Sequence, residues 1–376
     1  MSKQMVAYRF RLYPNKEQEE IINNTFGACR FVYNHFLERR KTAYEEEGKT
    51  LSFFDCSAEL TQLKKELTWL KEPSSDALKS SIRDLDFAYK NFFRGIKKGQ
   101  HIGYPKFKSK KNPTQKYRVY NVKVKQNCVQ LPKIGDVKCS ISKAINGDII
   151  SATVSRHSSG RYYVSIVCKD VEVGSYPNTG AVIGIALGMK NLITTSDGVK
   201  YCNPRTYKKY EKRLVKLQKQ LSRKKKGSNN FEKAKRKLAR AYEKLSDQRS
   251  DNLHKITTQL VRDNDVLYIK KPDVQSLVKD NAVKELNKTT MDASWFEICR
   301  QLQYKADWYG KEVVILEDFT PSAQTCHVCG KVNPEVKDKI TDYWICPECG
   351  SRNNRNYNTA RNVLEEGLAA SEKIAK

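Results

Sequence analysis

No stretch of this 376-residue sequence approaches the ~18 to 20 consecutive apolar residues that a membrane-spanning helix needs. A cleavable leader is not expected either, because Tyr8, Arg9 and Arg11 interrupt the short apolar stretch near the N-terminus. A membrane protein is excluded on this reading, and a cytoplasmic location is expected. Acidic side chains are also scarce: 42 Asp and Glu face 70 Lys and Arg, a formal net charge of +28. A surplus of that size points to a polyanionic partner.

The surplus is placed, not spread. Between residues 94 and 125 eleven basic side chains meet no acid. Lys106, Lys108, Lys110, Lys111 and Arg118 lie in that run, interleaved with Tyr117 and Tyr120. Residues 208 to 249 carry seventeen basic and four acidic side chains, with Arg223, Lys224, Lys225 and Lys226 consecutive. Both stretches are candidate phosphate-backbone contacts, whose binding should weaken steeply with salt. Stacking of a base on Tyr117 or Tyr120 fits the same surface, as does a core role for one of them.

Cysteine pairing of the secreted kind is not expected in such a chain. Seven of the eleven cysteines are isolated and read as small buried hydrophobes. The other four form two knuckles, Cys326-His-Val-Cys329-Gly and Cys346-Pro-Glu-Cys349-Gly, sixteen residues apart. That spacing is a zinc ribbon, in which four thiolates close a tetrahedron around a structural zinc and leave no open position for catalysis. His327 reads as a spectator between its cysteines.

Residues Val6 to Tyr13 alternate as a strand, and apolar stripes at helical spacing follow over 17–44, 57–70 and 74–93. From Gly103 the pattern changes to short alternating runs at 119–124, 128–131, 137–141, 149–155 and 162–168. These predict an antiparallel β module, with the helices inserted into a small barrel. Ala181 to Gly188 is a continuous apolar strand leading into a hairpin, as at the start of an α/β nuclease-type fold. A basic helical hairpin, a strand at 266–269, a helix at 294–309, a strand at 312–316, the ribbon and a closing helix at 357–367 follow.

Collinear blocks carry a resemblance. Leu12-Tyr-Pro-Asn-Lys-Glu-Gln18, Ala28-Cys-Arg-Phe-Val-Tyr-Asn34, Gly103-Tyr-Pro-Lys-Phe-Lys108, Leu221-Ser-Arg-Lys-Lys-Lys-Gly227, Asp292-Ala-Ser-Trp295 and the two knuckles are similar to TnpB, the transposon-encoded RNA-guided DNA nuclease related to type V CRISPR effectors. The resemblance implies an α/β plus β-barrel architecture. Its parts would be a wedge β-barrel (1–15 and 99–178), an inserted helical recognition domain (16–98), and a RuvC domain of RNase H-like fold (179–318 and 353–368). A zinc-ribbon target-nucleic-acid-binding insertion (319–352) and a tail (369–376) would complete it. The implied partners are a guide RNA and double-stranded DNA bearing a short flanking motif, on a monomeric protein associated with a prokaryotic nucleoid. Reading of that motif would fall near Phe53, Ser57, Asp76, Lys79 and Asn121.

RuvC chemistry requires carboxylates around two Mg²⁺ ions. The three family positions read here Gly184-Ile-Ala186-Leu-Gly188, Ile269-Lys270-Lys271-Pro272 and Asn354-Arg-Asn356-Tyr-Asn358. With Ala186, Lys270, Asn354 and Asn356 in place of acids, no catalytic Mg²⁺ is expected. The pattern resembles nuclease-dead TnpB-like repressors that block transcription by occupying a promoter. Two alternatives are an active metal-dependent nuclease using relocated ligands, with Asp273, Glu317 and Asp318 as candidates, and an RNA-binding accessory factor of a transposon.

Overall fold

The computed structural model describes residues 2–100, 102–270, 293–316, 323–336 and 342–375. Two compact units result, one of residues 3–172 and one of residues 1–2 with 173–376.

In the first unit, β1 (Ser2–Tyr13) ends at Pro14, and Asn15 caps α1 (Lys16–Glu47) through a reciprocal pair of bonds with Gln18. Gly48, at φ 62°, closes α1 in the left-handed conformation that glycine adopts without strain. Helices α2 (Phe53–Glu66) and α3 (Ser75–Lys97) follow, separated by a 3₁₀ turn at Thr68–Lys71. The apolar stripes meet as the periodicity predicts: Ile22, Val32 and Phe36 of α1, Leu60 of α2, and Leu78, Ile82 and Leu85 of α3 are all buried.

Strands β2 (Thr114–Val119), β3 (Lys123–Lys125), β4 (Cys128–Leu131), β5 (Gly135–Ser140), β6 (Asp148–His157) and β7 (Tyr162–Val173) join β1 in one sheet of order β2-β6-β7-β1-β5-β4-β3. The N-terminal strand is thus central, which only long-range pairing could decide. The expected barrel is corrected to an open sheet, since β2 and β3 are its two edges and do not pair. The expected strand at 119–124 is broken at Asn121, whose φ of 54° turns the chain away from β2. Helix α1 covers the face that a barrel would have enclosed: Phe26 lies 5.3 Å from the Tyr117 ring, and Asn23 bonds to Tyr162.

The second unit holds a five-stranded sheet of β8 (Val182–Leu187), β9 (Asn191–Thr195), β10 (Lys200–Cys202), β11 (Val266–Lys270) and β12 (Glu312–Leu316), ordered β10-β9-β8-β11-β12. β8, β11 and β12 run parallel, while β9 and β10 are antiparallel to their neighbours. Between them lie α4 (Thr206–Ser222), α5 (Asn229–Asp263) and α6 (Trp295–Tyr309); β13 (Tyr343–Ile345), β14 (Arg352–Asn354) and α7 (Arg355–Ala375) end the chain. Residues 369–375, expected as a tail, continue α7.

Both faces of this sheet are buried. Ile183, Ile185, Leu267 and Ile269 pack on Leu253, Ile256 and Leu260 of α5 and on Ile298 and Leu302 of α6. On the other face α7 approaches so closely that a Cβ on Gly184 would sit 2.2 Å from the Ala360 carbonyl oxygen. One on Gly367 would meet the Tyr268 ring at the same distance. Only glycine fits at these two contacts.

Candidate functional site

The two knuckles converge. The four Sγ atoms of Cys326, Cys329, Cys346 and Cys349 all lie within 4.8 Å of one another. The Cys326–Cys349 and Cys329–Cys346 separations are 3.8 and 3.6 Å. A zinc tetrahedron with bonds of about 2.3 Å has sulfur–sulfur edges of about 3.8 Å. The cage therefore fits that metal.

Sequence reasoning missed two residues around it. Ser351 Oγ lies 3.2 Å from Cys326 Sγ and 3.1 Å from Cys349 Sγ, and buried Asn353 donates to Cys326 Sγ. Burial opposes ionisation of Cys326, but hydrogen bonds from Ser351, the Cys329 and Val328 amides and Asn353 outweigh it and bring the thiol down to about 5. Position just beyond Cys349 was the only available signal for this pair. His327 stands outside the four-sulfur set, as expected, and is held elsewhere: its ring stands edge-on to Tyr357, and its Nδ1 lies 3.0 Å from Asn358 Oδ1.

Two of the three positions implied by the resemblance are neighbours, and the third lies near the end of β8. Ala186 and Lys270 follow the paired residues Ile185 and Ile269 at the ends of parallel strands. Asn356, in the first turn of α7, lies with its Nδ2 3.0 Å from where a Gly188 Cβ would stand. Ala186 is buried, and Lys270 pairs with Glu366 of α7 at 2.9 Å. Asn354 serves the backbone, its Oδ1 accepting from Tyr357 N as a cap of α7. A methyl, an ammonium paired to the neighbouring carboxylate and an amide do not fit a pair of divalent cations. Asp273, Glu317 and Asp318 lie outside the described residues.

The nucleic-acid candidates divide. Tyr117 belongs to the core, at 4% exposure, and burial pushes its phenol pKa well up. It cannot stack on a base. Lys108 is tied inward: its ammonium lies 3.9 Å from the Tyr33 ring centre and 3.6 Å from Asp84, its backbone is clasped by Asn34, and burial lowers its pKa. Lys106, Lys110, Lys111, Arg118 and the Arg223–Lys226 turn are exposed.

Arg83, which the sequence did not single out, links several of the others. It donates to Tyr120 Oη at 2.9 Å and lies 5.0 Å over the Phe53 ring. Ser57 bonds back to the Phe53 carbonyl one turn along α2, and Lys79 precedes Arg83 by one turn of α3. Lys64, whose pKa is lowered by burial and by Lys79, donates to Ser75 beside Asp76. Exposed Asn121 adjoins Tyr120 in the chain.

Three family models match the chain. One described as "Probable transposase" covers residues 165–281, a "Helix-turn-helix domain" covers 1–49, and a "Cas12f1-like, TNB domain" covers 295–363. The 1–49 match falls on a strand followed by a single 32-residue helix. A Streptomyces pristinaespiralis protein named "Putative RNA-guided DNA endonuclease" is 37% identical over 97% of this chain and 90% of its own length. The Escherichia coli K12 protein of the same name, InsQ, is 33% identical over 98% and 93%. A mimivirus protein named TnpB-like is 24% identical over 96% of this chain.

The chain belongs to the TnpB family of RNA-guided DNA endonucleases.

The fold agrees: the Cas12f1 chain of a complex with sgRNA and target DNA superposes with a TM-score of 0.55 at 13% identity, over 96% of this chain and 98% of the other. Family membership establishes the RuvC region and the four-cysteine zinc-binding TNB domain. It also corrects the functional expectation. Relatives this similar over nearly their whole length bear the name of endonucleases, which overturns the reading of a non-enzymatic repressor.

Proposed function

We propose that this TnpB-family protein is an RNA-guided, metal-dependent DNA endonuclease whose cation ligands lie elsewhere than positions 186, 270 and 356. Full-length relatedness to proteins of that name carries the reading. Asp273 follows β11 by three residues, and Glu317 and Asp318 directly follow β12. Both strands are parallel to β8, so these acids come next in the chain after the strand ends where the family site is built. The guide RNA pairs with one target strand, and sequence is read by base pairing. Exposed Lys106, Lys110, Lys111, Arg118 and Arg223 to Lys226 hold phosphates, while the protein reads a short duplex motif with the surface of Phe53, Ser57, Asp76, Lys79, Tyr120 and Asn121.

A structural zinc closes the ribbon, and the working unit is one protein chain on one RNA. The wedge, recognition, RuvC and ribbon boundaries inferred from the resemblance remain part of this proposal. The test is a guide-matched plasmid incubated with the protein, its RNA and Mg²⁺ or Mn²⁺. Guide-dependent strand breaks that disappear in Asp273→Asn or Glu317→Gln establish the reading. Motif-dependent DNA binding without any break overturns the endonuclease assignment, and RNA binding without DNA binding overturns both parts.

A further inference from the structure

The cysteine cage and the start of α7 are joined by two separate routes. The second knuckle runs through β14 directly into the helix, where Asn354 caps it and Arg355 N donates to the Asp342 carbonyl. The first knuckle, about thirty residues earlier in the chain, reaches the same helix through side chains. Asn358 is fully buried; its Oδ1 accepts from His327 N at 2.9 Å, and its Nδ2 donates to the Thr325 carbonyl at 2.7 Å. Asn362, one turn on, donates to the same carbonyl at 2.7 Å. Both amides of α7 thus clasp the residues flanking Cys326.

Metal ligation would close this arrangement into a ring, with thiolates joining the two knuckles and α7 joining them again. Without the metal, the first knuckle is joined to the helix by neutral hydrogen bonds, each of which contributes little beside metal ligation. The same stretch of helix carries Asn356 beside Gly188 at the end of β8. We infer that Asn358 is a positioning residue that transmits metal loading of the four-cysteine cage to the first turns of α7 and the strand end they face. An amide is suited to this task because it must accept from one backbone group and donate to another.

The test is hydrogen exchange in the full chain over residues 355–364, with zinc bound and after chelation, alongside zinc content by mass spectrometry. In the unsubstituted protein chelation should raise exchange there at least tenfold. Asn358→Ala should still bind one zinc per chain, show already raised exchange, and respond to chelation less than twofold. Asn358→Asp keeps the acceptor for His327 N and loses the donor to Thr325, so its response should fall between the two. A wild-type response in Asn358→Ala, or no response in the unsubstituted protein, overturns the inference. Loss of zinc from both variants also overturns it, since Asn358 would then serve folding of the cage. None of these readouts uses guide RNA or DNA, so the outcome is separable from that of the endonuclease test.

Discussion

The four-cysteine cage and the ends of β8 and β11, where the resemblance implies a second metal site, differ in what they offer a cation. The four-cysteine cage retains every ligand at bonding geometry, with hydroxyl and amide donors arranged around its sulfurs. At the two strand ends and the first turn of α7, the three corresponding positions offer a methyl, an ammonium and an amide, with Lys270 drawn onto Glu366. The cage is part of how the region folds, so losing one thiolate costs structure. A catalytic ligand contributes little to folding, and its position can be refilled by packing or by an ion pair without loss of the scaffold.

The cage should give the largest effect. Cys329→Ser, or prolonged chelation, is expected to unfold the ribbon, because metal binding in such domains contributes about 10–16 kcal/mol that is also folding free energy. Rapid proteolysis within 323–354, with zinc lost from the protein, is the expected result. At the strand ends the effect is smaller. Lys270→Met should destabilise the protein by about 1–2 kcal/mol by removing the ammonium that lies 2.9 Å from half-buried Glu366, and Glu366→Gln in the same chain should recover most of it. Denaturant midpoints of the two single variants and the double variant check this; additivity would show that the pair is not coupled.

The ion pair at the sheet's other end should show a smaller, pH-dependent effect. Lys311 and the amides of Thr179 and Gly180 hold the Asp265 carboxyl down at about 2. Since its folded pKa lies below its unfolded value of about 4, this stabilisation is present above pH ~4 and is lost as pH falls through 2. Acid titration of stability should therefore be flatter in that window in Asp265→Asn. The smallest effects belong to the exposed turn after α4: Lys224→Ala with Lys225→Ala should lower RNA affinity modestly and reduce the salt slope by about 1 to 2. A slope unchanged by the double substitution would remove that turn from the phosphate contacts.

Much of the molecule was legible beforehand because its signals are local. The α1 and α3 stripes, the alternation of β6 and β7, and the C-x-x-C knuckles each declare themselves within a window of one element. What was misread depended on partners far away in the chain. Tyr117 and Lys108 sit in a basic run that looks wholly solvent-facing, yet Phe26 buries the first and Tyr33 with Asp84 draws in the second. Asn354 looked like a lost acid and is a helix cap. Arg83 gave no signal, because its importance lies in joining Phe53 of one helix to Tyr120 beyond a strand.

By itself the sequence determined the charge that calls for a polyanion, the ligand set of the cage and the family. These depend on residue type and short spacing, which no folding event can alter. Tertiary structure alone decided that the sheet of the first unit stays open, that β1 occupies its middle, and that the amides of α7 clasp the knuckle around Cys326. Hydrogen-bonding groups are the same on every strand and every asparagine. Which of them meet is settled only when burial brings distant segments together and leaves each buried donor needing an acceptor.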